Sequence, residues 1–131
     1  MEQITPELTD FIRETTEIQS TLLSMCARIR DRYHLAATFG YGPRYVHATG
    51  QLHKGDAGRG LFIQFTADAA EDVPIPAVAG ELSPSLSFAT LTSAQAFGDR
   101  QALAQAGRRL IRFHLGANVI EALHRLNQTL A

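Results

Sequence analysis

Leu61-Phe62-Ile63-Gln64-Phe65-Thr66 is the clearest strand signal in the chain, and the fold class follows from it. It is a short, mostly apolar run that begins after Gly60 and ends at the polar exit Ala67-Asp68. A run of this length, rich in aromatic and β-branched residues and bounded by turn signals, is typical of a buried strand. The sequence therefore predicts a strand over residues 61–66.

Two similar runs predict further strands, one on each side along the chain. They are residues 35–39, which end before Gly40, and residues 109–115, which end before Gly116. Apolar residues at helical spacing predict helices between and around these strands, over about 43–50, 88–107 and 119–130. We expect the helix over 88–107 to be interrupted near Gly98-Asp99, and residues 67–87, which contain three prolines, to form a long loop.

The first helix is predicted from a local start signal. Thr5-Pro6-Glu7 combines a capping hydroxyl, a proline at the first helical position and a carboxylate in the first turn. An apolar stripe then continues to about residue 32, with the pair Thr15-Thr16 as its weakest point. The helix predicted here therefore spans about residues 5–32.

Alternating helices and strands predict the α/β class. The expected fold is a small three-layer α/β/α sandwich with a mostly parallel sheet and right-handed crossovers. Three strands would leave two sheet edges exposed unless the first helix or a second subunit covers them. We therefore expect a homodimer.

Length, composition and charge set the class of protein. The 131 residues are 45% hydrophobic and 19% charged, which predicts a single globular domain over residues 1–131. A net charge of −1 argues against binding to nucleic acid or to an anionic membrane. Cys26 is the only cysteine, no apolar run is long enough to span a bilayer, and MEQITPELTD lacks the features of a signal peptide. The expected location is the cytoplasm.

The end of the strand predicted over 35–39 is a candidate anion site. Gly40 and Gly42 allow a close backbone approach, and Arg44 can add a bidentate contact at the start of the following helix. The alternative is a tight turn with an exposed arginine. The dinucleotide fingerprint is not matched, because Tyr45 stands where its third glycine would be.

The densest polar cluster of the chain follows directly, from His47 to Gly55. It contains the only lysine among twelve basic residues, a skew that a GC-rich genome explains. Imidazoles can move protons near neutral pH, and an ammonium group can neutralise phosphate or enediolate charge. The alternative is a polar surface loop. The candidate catalytic residues are His47, His53 and Lys54. The candidate ligand-binding residues are Gly40, Gly42, Arg44, Thr49, Gln51 and Gly55.

Other titratable residues are predicted to be structural. His47 and His53 are poorly spaced for a metal, and neither a metal nor another cofactor is expected. His114, at a predicted strand end, and His124, on a predicted helix, are expected to be satisfied structural histidines. Cys26 lies on the apolar stripe of a helix and is expected in the core.

The run Tyr41-Gly42-Pro43-Arg44-Tyr45-Val46-His47-Ala48-Thr49-Gly50-Gln51-Leu52-His53-Lys54-Gly55 resembles the C-terminal, isomerase part of the bacterial bifunctional transaldolase/glucose-6-phosphate isomerase family. The likeness covers about residues 25–125. It continues at 62–64, 67–68, 71–76, 88–91, 94–99 and 107–115.

This resemblance implies a sugar isomerase (SIS) type unit of carbohydrate metabolism over residues 25–131. It implies that His47 is the ring-opening histidine and that Thr49, Gln51, His53 and Lys54 line the same pocket. The chain departs from the family in lacking the transaldolase barrel, the first isomerase subdomain with its phosphate loop, and a match for the segment with the catalytic glutamate. Residues 1–24, where the family has another strand, are predicted instead as a variable N-terminal helix.

Three functions remain open at this point. The first is binding of a phosphorylated sugar or a similar anion by a stand-alone isomerase-like domain that is not catalytic alone. The second is aldose–ketose isomerase activity in a homodimer or with a separately encoded subdomain, so enzyme status is left undecided. The third is a non-catalytic dimerisation or partner-binding module.

Overall fold

The computed structural model describes residues 5–55, 57–78 and 86–130. Its centre is a sheet of four parallel strands: β1 (Thr5–Phe11), β2 (Thr38–Tyr41), β3 (Gly60–Thr66) and, near the end of the chain, β6 (Arg109–His114). The strand order is β2-β1-β3-β6. Two short strands, β4 (Pro74–Ile75) and β5 (Leu86–Ser87), form a separate antiparallel pair. The predicted α/β class with a parallel sheet is confirmed.

Helices cover both faces of the sheet. They are α1 (Thr16–Tyr33), α2 (Thr49–Gly55), α3 (Phe88–Gln105) and α4 (Val119–Thr129), with a 3-10 turn over Arg44–His47. Helices α1 and α4 pack on one face, around Leu8 and Phe65. The 3-10 turn and α3 pack on the other face, where Tyr45 and Ala96 meet Phe11. Successive strand residues point to opposite faces, so β1 contributes Leu8 to one layer and Phe11 to the other.

The prediction of a helix over residues 5–32 is wrong for its first part. Thr5–Phe11 is the strand β1, which pairs with β3 along its whole length and with β2, on its other side, over residues 7–10. The helix begins later, where the Thr15 hydroxyl caps it by accepting from the Ile18 amide at 3.2 Å. The variable N-terminal helix expected over 1–24 therefore contains a central strand in its described part, and residues 1–4 lie outside the described residues.

The physical reason for this error is non-local pairing. Four of the seven residues of TPELTDF are polar and the segment has a helix-start signature, so its local preference does not favour a strand. The two neighbouring strands satisfy its backbone donors and acceptors on both sides, which a helix of seven residues could not match. The sheet thus has four strands rather than three, and the exposed edges belong to β2 and β6.

Other boundaries differ less. The predicted interruption near Gly98-Asp99 is wrong: helix α3 is continuous there, and Asp99 lies on its buried side. The strand expected over 35–39 lies at 38–41, and the helix expected over 43–50 is a 3-10 turn followed by α2. The loop predicted over 67–87 contains β4 and β5, and its residues 79–85 lie outside the described residues.

Within the described part of the chain, none of the helices combines the length and the apolar character needed to cross a membrane.

Candidate functional site

The segment from β2 to α2 is built tightly around two aromatic rings. A Cβ added at Gly42 would lie 2.6 Å from the Phe11 ring, and one at Gly40 or Gly50 would lie 3.0 Å from Tyr45 atoms. The Gly42 amide also donates to the Asp10 carbonyl at 2.7 Å, and the Gly42-Pro43 peptide is cis. The glycines of the predicted anion cradle are therefore explained by packing inside the protein.

His53 points inward and lies against a carboxylate. Its Nε2 atom contacts Oε2 of Glu7, which stands in the middle of β1, and both side chains are largely buried. Its ring lies 6.0 Å from the Tyr45 ring and 5.4 Å from the Phe62 ring, measured between centroids. A buried imidazole paired in this way holds α2 onto the sheet.

Lys54 also points inward. Its Nζ atom lies 3.1 Å from Oδ1 of Asp99, a carboxylate of α3 whose side chain is only 2% exposed. The Tyr45 hydroxyl donates to Oδ2 of the same carboxylate. Burial, and then the hydrogen bond to Asp99, raise the pKa of Tyr45. Lys54, Tyr45 and Asp99 thus form a buried charged network that joins α2, the 3-10 turn and α3.

Arg108 fixes the end of α2. Its guanidinium donates to the carbonyl of His53 at 3.0 Å and to the carbonyl of Lys54 at 2.8 Å. The last carbonyls of a helix have no partner within the helix, so this contact satisfies two of them. The orientation of the two inward residues therefore depends on a residue more than fifty positions further along the chain.

The remaining polar side chains of the segment face solvent. Exposed residues of this outer row are Arg44, His47, Thr49 and Gln51. Arg44 forms an exposed ion pair with Glu14, which lies in the connection between β1 and α1. Exposed pairs of this kind contribute little to stability.

The structure thus divides the candidate residues in two. His53 and Lys54 belong to the packed layer between the sheet and its helices, and the outer row lies on the surface. Gly55 ends α2, and a Cβ there would meet nothing within 4 Å. The predicted common pocket for His47, His53 and Lys54 stays a prediction.

Sequence reasoning missed the carboxylates of this site. It places Glu7 in a predicted helix and Asp99 at a predicted helix interruption. On the same face of the sheet, Gln64 donates to the Ala96 carbonyl at 3.0 Å, and Thr9 is 1% exposed. The signal that could have found Asp99 is its position as a lone acidic residue on the buried stripe of α3. Glu7 has no comparable local signal, because its segment becomes a strand through pairing with β2 and β3.

A second polar arrangement lies on the opposite face of β1. Asp10 is fully buried, and in the described part of the chain neither of its carboxylate oxygens has a hydrogen-bond partner. Burial raises its pKa to about 8. Burial also raises the pKa of Cys26 to about 11 and that of Tyr41 to about 12, and the charge of Asp10 adds to both shifts.

Metal-ligating side chains are not clustered among residues 5–55, 57–78 and 86–130. These ranges contain no group of three or more histidine, cysteine, aspartate or glutamate side chains placed to hold an ion. The carboxylates of Glu7 and Asp99 instead face basic side chains of the protein, His53 and Lys54.

Comparison with known proteins gives a likeness of fold. No protein-family model matches the chain, and no curated protein matches it. The crystal structure of hypothetical protein TT0462 from Thermus thermophilus superposes with a TM-score of 0.73 at 23% identity, over 96% of this chain and 33% of that one. A de novo designed Rossmann fold protein has a TM-score of 0.48 at 8% identity, over 97% of each chain. The chain spans about a third of the length of the Thermus protein that it resembles.

Proposed function

We propose that this chain binds a phosphorylated sugar or a related anion through the outer row of the segment 41–55, and that it does not turn the ligand over alone. It would do so as an SIS-like unit, similar to the C-terminal part of the transaldolase/glucose-6-phosphate isomerase family. The parallel α/β fold and the residues of the segment itself support this interpretation.

One observation carries the proposal: the division of the segment into an inner and an outer half. In the inner half, both basic side chains already have carboxylate partners, since His53 faces Glu7 and Lys54 faces Asp99. The outer half holds a guanidinium, an imidazole, a hydroxyl and an amide on the surface after the carboxyl end of β2. Ligands of open parallel sheets bind beyond the carboxyl ends of the strands, and these four groups suit phosphate and sugar hydroxyls.

The same division explains why we propose binding rather than turnover. His47, the ring-opening candidate, is exposed, so a ligand on it would stay open to water on one side. Catalytic groups act best where water is excluded and where donors are fixed in advance. A second unit would have to supply the missing wall.

The test is a titration of the labelled protein with glucose-6-phosphate and with 6-phosphogluconate, followed by amide NMR. We expect saturable shifts at Arg44, His47, Thr49 and Gln51. The matched pair of variants is His47→Asn and His53→Asn, which make the same chemical change in the outer and inner halves.

His47→Asn should weaken binding without changing stability, because the side chain is exposed. His53→Asn should lower stability, because it removes the imidazole that contacts the largely buried Glu7 carboxylate. An absence of shifts in the outer row with both ligands would refute the proposal, as would equal binding by wild type and His47→Asn.

Isomerase activity is the second candidate, favoured by the one-sided exposure of His47. In a homodimer, or with a separately encoded subdomain, the missing wall and a catalytic carboxylate could come from the second unit. A coupled isomerase assay over a range of protein concentrations, with and without a candidate subdomain, tests this. Activity that survives His47→Asn would contradict the assignment of His47.

A dimerisation or partner-binding module is the third candidate. Leu52 of α2 and Phe97 of α3 are both exposed apolar side chains on helices that cover the same face of the sheet. Sedimentation of the wild type and of Leu52→Ser would detect association through this surface. A monomer at all concentrations would remove the dimerisation form of this candidate.

A further inference from the structure

Strand β6 forms one edge of the sheet. Among the described residues it pairs with β3 on one side and with no strand on the other. It has six residues and is therefore longer than β2, the four-residue strand at the opposite edge. An unpaired edge strand presents a row of backbone donors and acceptors to which another extended chain can add. The outer side of β6 is thus a candidate docking surface, which we call the β6 edge.

One hydrogen bond shows which backbone groups of β6 face outward. The Leu115 amide, directly after the strand, donates to the Thr66 carbonyl of β3 at 2.8 Å. The backbone groups of successive residues in a strand point alternately to its two sides. The amides of positions 111 and 113 therefore face β3. The amides and carbonyls that face outward, where a further strand could pair with them, belong to Leu110, Arg112 and His114.

The side chains along the β6 edge are basic and apolar. The strand reads RLIRFH and contains no acidic residue. Arg109 is exposed, and Ile111, which points to the same face of the strand, is 49% exposed. Asp68 contacts the far end of the strand, where its Oδ1 atom lies 3.1 Å from Nε2 of His114. The first four residues thus carry two guanidinium groups and an uncovered apolar side chain.

The charge of the strand indicates which kind of chain fits the β6 edge. Two copies of β6 side by side would bring four guanidinium groups to one seam, and like charges across a strand pair are destabilising. An acidic strand would instead place carboxylates beside Arg109 and Arg112. Arg59, also exposed, lies two positions before the β3 residue that pairs with Arg109 and adds basic charge at this end. The net charge of the chain is −1, so the excess of basic groups is local.

We propose that the β6 edge binds an acidic, extended segment of a partner protein by strand addition. The backbone of that segment would pair with the outward amides and carbonyls of β6. Its carboxylates would face Arg109 and Arg112, and an apolar side chain between them would cover Ile111. In this mode of recognition the main-chain hydrogen bonds supply affinity, and side chains at alternate positions supply selectivity.

The β6 edge is separate from the surface of the proposed function and does not depend on it. Strands β2 and β6 are the two edges of the sheet and lie three strand spacings apart, roughly 14 Å. The anion-binding surface follows β2, whereas the docking surface runs along β6. Residue-resolved measurements can therefore separate failure of one proposal from failure of the other.

The experiment is amide hydrogen exchange of the full chain, followed by NMR, with and without an end-capped peptide. The peptide has six residues, like β6, and alternates valine with glutamate. At saturation we expect exchange at least about tenfold slower at Leu110, Arg112 and His114, because their amides gain hydrogen bonds. The amides of positions 111 and 113 should change less, because they already face β3. Unchanged exchange at the three outward amides would overturn the proposal.

Two control peptides separate strand pairing from attraction by charge. The first has lysine in place of glutamate and should bind at least about tenfold more weakly, because it places like charges beside the arginines. The second keeps the glutamates but is N-methylated at every internal amide, so it cannot pair as a strand and should give no protection. Equal binding of the lysine peptide, or equal protection by the N-methylated peptide, would overturn the proposal.

A matched pair of variants tests the position of the charge. Arg109→Glu should weaken binding of the acidic peptide about tenfold, because it replaces an attraction with a repulsion. Arg30→Glu makes the same change on α1, an exposed position on the helix that contacts β2, and binding should stay within about twofold. Equal weakening by both variants would overturn the proposal.

The protein without peptide tests the other possible occupant of the β6 edge. Exchange at the three outward amides should be fast and independent of protein concentration. Protection that grows with protein concentration would show that a second copy of the chain pairs there, and it would overturn the proposal of an acidic partner.

Discussion

Asp10→Asn is the substitution whose effect on stability can be worked out most fully from the structure. Asp10 lies in β1, between β2 and β3, and is fully buried. Its carboxyl group has no hydrogen-bond partner among the described residues. Burial without such a partner penalises the charged form, which is why its pKa rises from 3.8 to about 8.

The direction of the pH dependence follows from this raised pKa. The folded protein holds the Asp10 proton more tightly than the unfolded chain does. The stability contributed by this group is therefore complete below about pH 4, falls as the pH rises through the interval from 3.8 to about 8, and levels off above it.

The size of the effect follows from the width of that interval. Each unit of pKa difference corresponds to about 1.4 kcal/mol, so at neutral pH the charged form lowers the free energy of unfolding by about 4 kcal/mol. Asparagine has nearly the shape of the protonated carboxyl but does not ionise. We therefore expect Asp10→Asn to match the wild type near pH 4 and to exceed its stability progressively up to about pH 8.

The assay is urea unfolding followed by circular dichroism at several pH values in this interval, for the wild type and the variant. The difference between the two free energies of unfolding is the quantity that matters, since the other titrating groups contribute equally to both. Asp31→Asn is the control, because Asp31 is an exposed aspartate whose pKa is lowered by its pairing with Arg30. A difference that stays constant with pH for Asp10→Asn would contradict the raised pKa of this carboxyl group.

Three further substitutions test the packing of the segment 41–55 and of α3. Lys54→Met should lower the free energy of unfolding by about 2–3 kcal/mol, because it leaves Asp99 buried without its cation, and adding Asp99→Asn should restore part of the loss. Gly42→Ala should cost about 2–3 kcal/mol, because the new methyl group would overlap the Phe11 ring, and an unchanged midpoint would contradict this packing. Gly98→Ala should instead stabilise by about 0.5–1 kcal/mol, since nothing lies within 4 Å of its added Cβ in the middle of α3. Urea midpoints measure all three.

The candidate site shows what a cluster of polar residues in a sequence predicts and what it does not. The sequence places two imidazoles and the only lysine of the chain within the segment 47–54. It does not say which of them face inward, because the deciding carboxylates, Glu7 and Asp99, lie more than forty residues away on either side. An ion pair between distant elements leaves no local signal in the sequence.

The carboxyl ends of β3 and β6 give a second example of side-chain contacts that the sequence does not reveal. His114 is predicted as a structural histidine, since a single histidine at a strand end has no partner visible in the sequence. Strand register places it against Thr66, and the loop after β3 places Asp68 beside it. Thr66 and His114 are forty-eight residues apart in the sequence, and only the pairing of their strands brings their side chains together.

In the fold itself, the elements that rest on short-range preference can be predicted from the residues alone. Strand β3 is predicted from its own apolar residues, β6 from its run before Gly116, and α4 from its amphipathic spacing, because each carries its signal within a few residues. The strand Thr5–Phe11, in contrast, exists only through tertiary pairing. Its side chains are divided between polar and apolar, and its backbone becomes extended because β2 and β3 bond to it from both sides.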